Sequence, residues 1–241
     1  MIITKDTARL DKKDIIILIP PWRAPKIIFR EFKKHIPKDF GYVDYHHSAD
    51  IVNSDPHKTK VNVLRYIDTV IAKLKTLNKK KKRNFYIYAE SLGVAFAMVM
   101  ASKILMKKIV LIAPGANLAE CFWDGVMTQH LKKEMEKNGM TRDKLVELWK
   151  PISPDEYLKG KSLKPKYHLK LARKDITVPY KNGLKLIRLF RKHNVNFSYE
   201  VTEVHHIMKK DAIPHNFTVL ADAIFPKHSI DFLVKNRTRP K

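Results

Sequence analysis

The chain has 241 residues, of which 44% are apolar, 10% aromatic and 30% charged. That balance excludes wholesale disorder and fibrous structure and suits one globular domain spanning 1–241. At this length folding removes roughly 70–75% of the unfolded chain's surface from water, so helices can cover both faces of a sheet without covalent staples. A single cysteine, Cys121, excludes an internal disulfide and fits a reducing cytoplasm.

Lysine and arginine exceed aspartate and glutamate by 24, enough to attract nucleic acid, anionic lipid or another acidic polymer. Most of these cations are lysines, whose solvated heads suit general surface charge as well as a dedicated anionic partner. Met1–Lys13 mixes charges of both signs where a secretory signal needs a basic tip followed by an apolar stretch, so no export signal is expected. The longest apolar runs, Ile15–Trp22 and Val94–Ala101, fall far below the ~20 residues of a membrane-spanning helix.

Asp14–Ile19 is a β-branched run halted by Pro20-Pro21 and reads as a buried first strand. Ile28, Phe32 and Ile36 recur at steps of four over residues 24–36, which predicts an amphipathic helix ended by Pro37. Gly41–Tyr45 reads as a second strand. Over 58–77 the positions of Val61, Leu64, Ile67, Ile71 and Leu74 predict a longer helix. Phe85–Ala89, Ile109–Ala113, Tyr167–Ala172 and Phe197–Val201 complete a set of about six strands. The small-residue helix Val94–Leu105 and a helix around Leu184, Ile187 and Phe190 lie between them. Such alternation predicts an α/β fold with a mostly parallel central sheet and helices on both faces, because parallel neighbours require crossover connections. Residues 117–160 interrupt the rhythm with two or three helices and no convincing strand, the pattern of a small helical lid inserted between the fourth and fifth strands.

Between the third strand and its helix stands Tyr88-Ala89-Glu90-Ser91-Leu92-Gly93-Val94. No residues are left for a loop, so Ser91 falls at a tight strand-to-helix corner with its hydroxyl at the sheet's C-terminal edge. The small residues at 89 and 93 let neighbouring backbones approach. The following helix start directs free N–H groups at any anion formed beside the serine. A helix-capping serine would show the same local pattern. What separates the two readings is an acid and a histidine after two later strands: Asp175 in Leu171-Ala-Arg-Lys-Asp-Ile-Thr-Val-Pro179, and His205-His206 after Glu203-Val204.

In this order of serine, acid and histidine the chain resembles the α/β-hydrolase family over nearly its whole length. The resemblance implies a serine hydrolase acting on a carboxylic ester or thioester of small to medium acyl size, without metal or organic cofactor. Carried onto this sequence it makes Ser91 the nucleophile, His206 the base with His205 as the alternative, and Asp175 the acid beside its Val178-Pro179 turn. The family's frequent His-Gly after the first core strand is here Pro20-Pro21-Trp22, and proline has no N–H. An oxyanion hole would therefore use the N–H groups of Leu92 and Trp22, or Arg23 in place of the latter. Asp50 and Asp55 precede Ser91, whereas the family's acid follows it. A catalytically silent member of the same fold, holding an anionic partner on its basic face, is the competing expectation.

Phe122, Trp123 and Met127 in the insertion are candidates for an apolar acyl pocket. Glu90 reads as a structural or rim carboxylate, Cys121 as a small buried hydrophobe, and His46-His47 as a polar loop without metal-ligand spacing. Lysines precede four of the strands: Lys12-Lys13, then Lys79, Lys80, Lys81, Lys82 and Arg83, then Lys107-Lys108, then Lys161, Lys164 and Lys166. In a parallel sheet these clusters should share the edge opposite Ser91.

Overall fold

The computed structural model describes residues 4–25, 28–158, 165–202 and 226–235. Seven strands form one sheet: β1 (Thr4–Ala8), β2 (Asp14–Ile19), β3 (Phe40–His46), β4 (Asn84–Glu90), β5 (Lys108–Ile112), β6 (Lys166–Ala172) and β7 (Phe197–Thr202). Their spatial order is β1-β3-β2-β4-β5-β6-β7. All neighbours are parallel except β1 and β3.

A parallel sheet is covered on both faces, so its central strands are apolar at every position. Residues Ile15 to Ile19 are all 0% exposed. Ile15, Ile17 and Ile19 face one core, and Ile16 and Leu18 the other. On the first face lie α2 (Pro56–Lys80), α3 (Leu92–Lys103) and α7 (Tyr180–Lys192), together with α4 (Leu118–Asp124), α5 (Gln129–Lys137) and α6 (Arg142–Leu148). On the second lie α1 (Arg30–Lys34) and α8 (Lys227–Val234). Among the described residues no helix is long and apolar enough to cross a membrane.

Three elements differ from the sequence reading. β1 precedes the expected first strand. Its Thr-Lys-Asp-Thr-Ala carries no apolar pattern and pairs with the open edge of β3, Thr7 opposite Val43. The helix expected over 24–36 contracts to Arg30–Lys34, because the chain before it makes tight turns in which Ala24 and Ile28 donate to the carbonyls of Pro21 and Pro25. Phe32 and Ile36 are nevertheless buried as the stripe requires. In α2 the inward face is Val63, Tyr66, Ile67, Val70, Ile71 and Leu74, whereas Val61 is 48% exposed, since a stripe begun at 61 runs off the face that the tyrosine and valines define.

Parallel register also brings basic residues together at the N-terminal ends of β5 and β6, where Lys108 stands opposite Lys166. Lys81 donates to the Asp11 carbonyl at 3.2 Å, and the Arg83 guanidinium reaches the carbonyls of Lys12 and Leu77. Lys161 and Lys164 lie outside the described residues.

His47, just after β3, is not in a polar loop. Its ring packs edge-on against Tyr66 and Phe96 at 5.7 and 5.5 Å, and burial pushes its pKa down to about 4. The unfolded chain takes up a proton near pH 6.5 that the folded one refuses until about pH 4. The stability held by neutral His47 is therefore complete above the upper value and is lost as pH falls through the window. Urea unfolding followed across that window should show stability declining toward acid, with a shallower decline in His47→Gln.

Candidate active site

The corner expected at Ser91 is present, and its cause lies two residues on. A methyl group at Gly93 would stand 2.7 Å from the Ile19 carbonyl oxygen and 2.9 Å from the Ile19 side chain. Only a residue without Cβ lets the first turn of α3 lie this close to the end of β2. Leaving β4 for that position forces Ser91 to φ 52° and ψ −117°, a region that costs a side-chain-bearing residue of order 1–3 kcal/mol. Two backbone bonds hold it: Ser91 N–H donates to the Ile112 carbonyl and Val94 N–H to the Ser91 carbonyl, each at 2.9 Å. Leu92 begins α3, so its N–H has no carbonyl one turn earlier in the helix to receive it.

Asp175 follows β6 on the same C-terminal edge and is 6% exposed. Its Oδ1 accepts from the N–H groups of Thr177 and Val178, both at 2.9 Å, which folds Asp-Ile-Thr-Val into a turn that fixes the carboxylate. Beside it Arg173 N–H donates to the Thr202 carbonyl at 3.4 Å, so the acid turn adjoins the end of β7. His205 and His206, which follow β7, lie outside the described residues.

Ser91 opens into a cavity of about 90 Å³ whose walls come from the β2 exit, the α2 start, α3, the insertion and the acid turn. Phe122 and Met127 line it, as do Trp22 and Leu92. Trp123, one residue from Phe122, faces elsewhere: a helix turns by about 100° per residue, and the Trp123 ring instead lies under the Lys132 ammonium at 5.0 Å. The lining also includes Val52, Thr59 and Trp149, which the sequence did not mark as site residues. Trp149 is 1% exposed, and its indole N–H donates to the Pro56 carbonyl at 2.9 Å. Val126 N–H donates to Ile176 at 3.0 Å, and Gly125 lies directly against the Thr177 carbonyl, which ties the insertion to the acid turn.

The remaining candidates resolve as structure. Glu90 is fully buried, not at a rim, and accepts from the Tyr88 hydroxyl at 2.6 Å on the sheet face opposite α3. Asp55 caps α2, accepting from His57 and Lys58 N–H, and Asp50 is exposed. His46 pairs with the buried Asp44 at 3.1 Å. Burial pushes the Cys121 thiol up to about 12, so it is a neutral wall of the cavity.

The strand order, the serine at the β4–α3 corner and the acid after β6 define an α/β-hydrolase fold. No protein-family model and no curated protein sequence matches the chain. Solved structures match it in shape. Esterase B from Lactobacillus rhamnosis has a TM-score of 0.64 at 14% identity over 92% of this chain and 77% of that one. MGS-M2, an α/β-hydrolase enzyme from a Medee basin deep-sea metagenome library, has 0.62 at 16% over 99% and 95%. Acylaminoacyl peptidase from Pyrococcus horikoshii has 0.67 at 11% over 98% and 39%.

The corner's dependence on Gly93 is testable. Gly93→Ala should lower the urea midpoint by an amount equivalent to about 1–3 kcal/mol, the usual cost of overpacking. Tolerance of the methyl group without loss would show that α3 does not need this approach to β2.

Proposed function

We propose that this protein is a serine hydrolase that cleaves a carboxylic ester or thioester of small to medium acyl size through an acyl-enzyme. One observation carries the reading: Ser91 is held in a strained strand-to-helix corner at the mouth of an apolar cavity, with a buried carboxylate on the same sheet edge. A scaffold has no physical need to maintain that strain. The shared fold of esterases and acylaminoacyl peptidases supports it at the level of architecture.

In this reading His206, with His205 as the alternative, takes the Ser91 proton as the hydroxyl oxygen bonds to the acyl carbon. The N–H groups of Leu92 and Trp22 receive the oxyanion. Collapse of that adduct expels the alcohol or thiol, which leaves with the proton, and water then releases the acid by the same two steps. Asp175 orients the imidazole and stabilises its charged form. The position of β7 supports the assignment of the base, because the strand ends at Thr202 beside the acid turn, shortly before the two histidines. Residues 117–160 serve as the lid, covering the serine with Phe122 and Met127. The lysines at the sheet's N-terminal edge would dock the enzyme on an anionic surface with its cleft facing away.

Ser91→Ala should reduce ester turnover by on the order of 10³-fold or more and abolish fluorophosphonate labelling, whereas Glu90→Gln should keep most of the activity. Equal losses would reassign the nucleophile or the acid. For the basic edge, changing Lys79, Lys80, Lys81 and Lys82 to glutamine should weaken salt-sensitive binding to anionic vesicles while leaving hydrolysis of a neutral ester unchanged. A parallel fall in turnover with intact stability would refute the docking role.

A further inference from the structure

We infer that the cavity beside Ser91 is an acyl pocket cut for an uncharged chain of about four carbons, with Trp149 as the stop that sets its length. The inference rests on the hydrolase reading and deepens it.

Size is the first argument. An apolar cavity of about 150 Å³ accepts benzene, with its six carbons. At about 90 Å³ the pocket has room for a butyryl group and little more. Its lining also has a direction. Met127 is 47% exposed, whereas Val52, Thr59, Phe122 and Trp149 are all under 9%. Met127 therefore marks the mouth, and the floor is built where Val52, the first turn of α2 and Trp149 meet.

The floor is fixed. Trp149 is held at three points: its indole N–H on the Pro56 carbonyl, its backbone N–H on the Leu145 carbonyl at 2.9 Å, and its ring edge-to-face with Phe122 at 5.1 Å. Rotating it aside to admit a longer chain would leave the Pro56 carbonyl without that donor and break the aromatic contact.

Chemistry of the lining sets the class of chain. None of the described residues around the cavity carries a charge. The Thr59 hydroxyl is already engaged with the backbone of Asn53, accepting at 2.8 Å and donating at 3.1 Å, and the Thr128 hydroxyl donates to the Phe122 carbonyl. A carboxylate or ammonium pressed against the floor of Val52, Thr59 and Trp149 would be buried without a charged partner, a large penalty. A plain alkyl chain would meet mostly carbon, the Thr177 hydroxyl on the acid turn being the lining group that is buried without a hydrogen-bond partner among the described residues.

The test is the ratio of kcat/KM values across p-nitrophenyl acetate, butyrate, hexanoate, octanoate and decanoate. The native protein should peak at butyrate and fall by about tenfold or more at octanoate, given that one methylene that does not fit is worth roughly 10-fold or more. Trp149→Leu should move the peak to hexanoate or octanoate. Trp149→Phe, which keeps an aromatic floor but shortens it, covers the case in which the leucine variant does not fold and should move the preference the same way. Ala95→Val, on the α3 wall, should move it toward acetate. Native turnover of decanoate equal to that of butyrate, or tryptophan variants whose rates fall uniformly with no change of preference, would overturn the ruler while leaving the hydrolase reading intact. Absence of turnover of every ester, together with absence of Ser91 labelling by a fluorophosphonate, would overturn both.

Discussion

The site depends on one steric fact, the contact between the first turn of α3 and the last residue of β2. With no side chain at 93, the helix start lies against the Ile19 carbonyl, and every other feature of the corner follows. Ser91 is forced to positive φ, and the N–H of Leu92 beside it is left without an intrahelical acceptor. The strain is sustained because α3 is buried at every position from Leu92 to Met100, so it cannot slide away without exposing an all-apolar helix. Ala89, fully buried opposite Ile19 in the sheet, leaves room for the same approach from the other side of the turn.

What was legible in the sequence was what local chemistry controls. The buried parallel strands showed as β-branched runs with proline or small residues at their ends, and the corner and acid turn showed because Ala-Glu-Ser-Leu-Gly and Asp-Ile-Thr-Val each close a hydrogen-bonded turn within a few residues. What was not legible depends on partners distant in the chain. β1 has no pattern of its own and is a strand only because β3 offers an unpaired edge. The phase of a short helix is set by its tertiary contacts, which is why Phe122 rather than Trp123 turns to the cavity. The floor unites Val52, Thr59 and Trp149 through a bond between Trp149 and Pro56, a pairing that no local spacing encodes.

The scarce carboxylates are placed where position matters. Asp44, fully buried under the second face, holds Lys33 at 2.5 Å and His46 at 3.1 Å. Glu120 and Asp124 on α4 bind Lys185 and Lys181 on α7, each at 2.8 Å, with Arg142 of α6 near both at 3.7 Å. A single exposed pair of this kind contributes little. A network joining three helices through half-buried acids fixes relative position more than it adds free energy.

That network has a consequence for the cavity. α7 begins immediately after the acid turn, and Val126 N–H on Ile176 ties the insertion to the same turn. The insertion, the Asp175 turn and α7 are thereby one connected wall, while Ser91, α3 and the α2 start form the other. Between these two walls the Trp149–Pro56 bond acts as a clasp at the floor of the pocket, while Met127 at its mouth is 47% exposed. A change that loosens α4 from α7 would then act on the acid and on the pocket wall together, whereas a change at Trp149 would act on pocket depth and leave the Ser91 corner, which is set by Gly93 and Ile19, as it is.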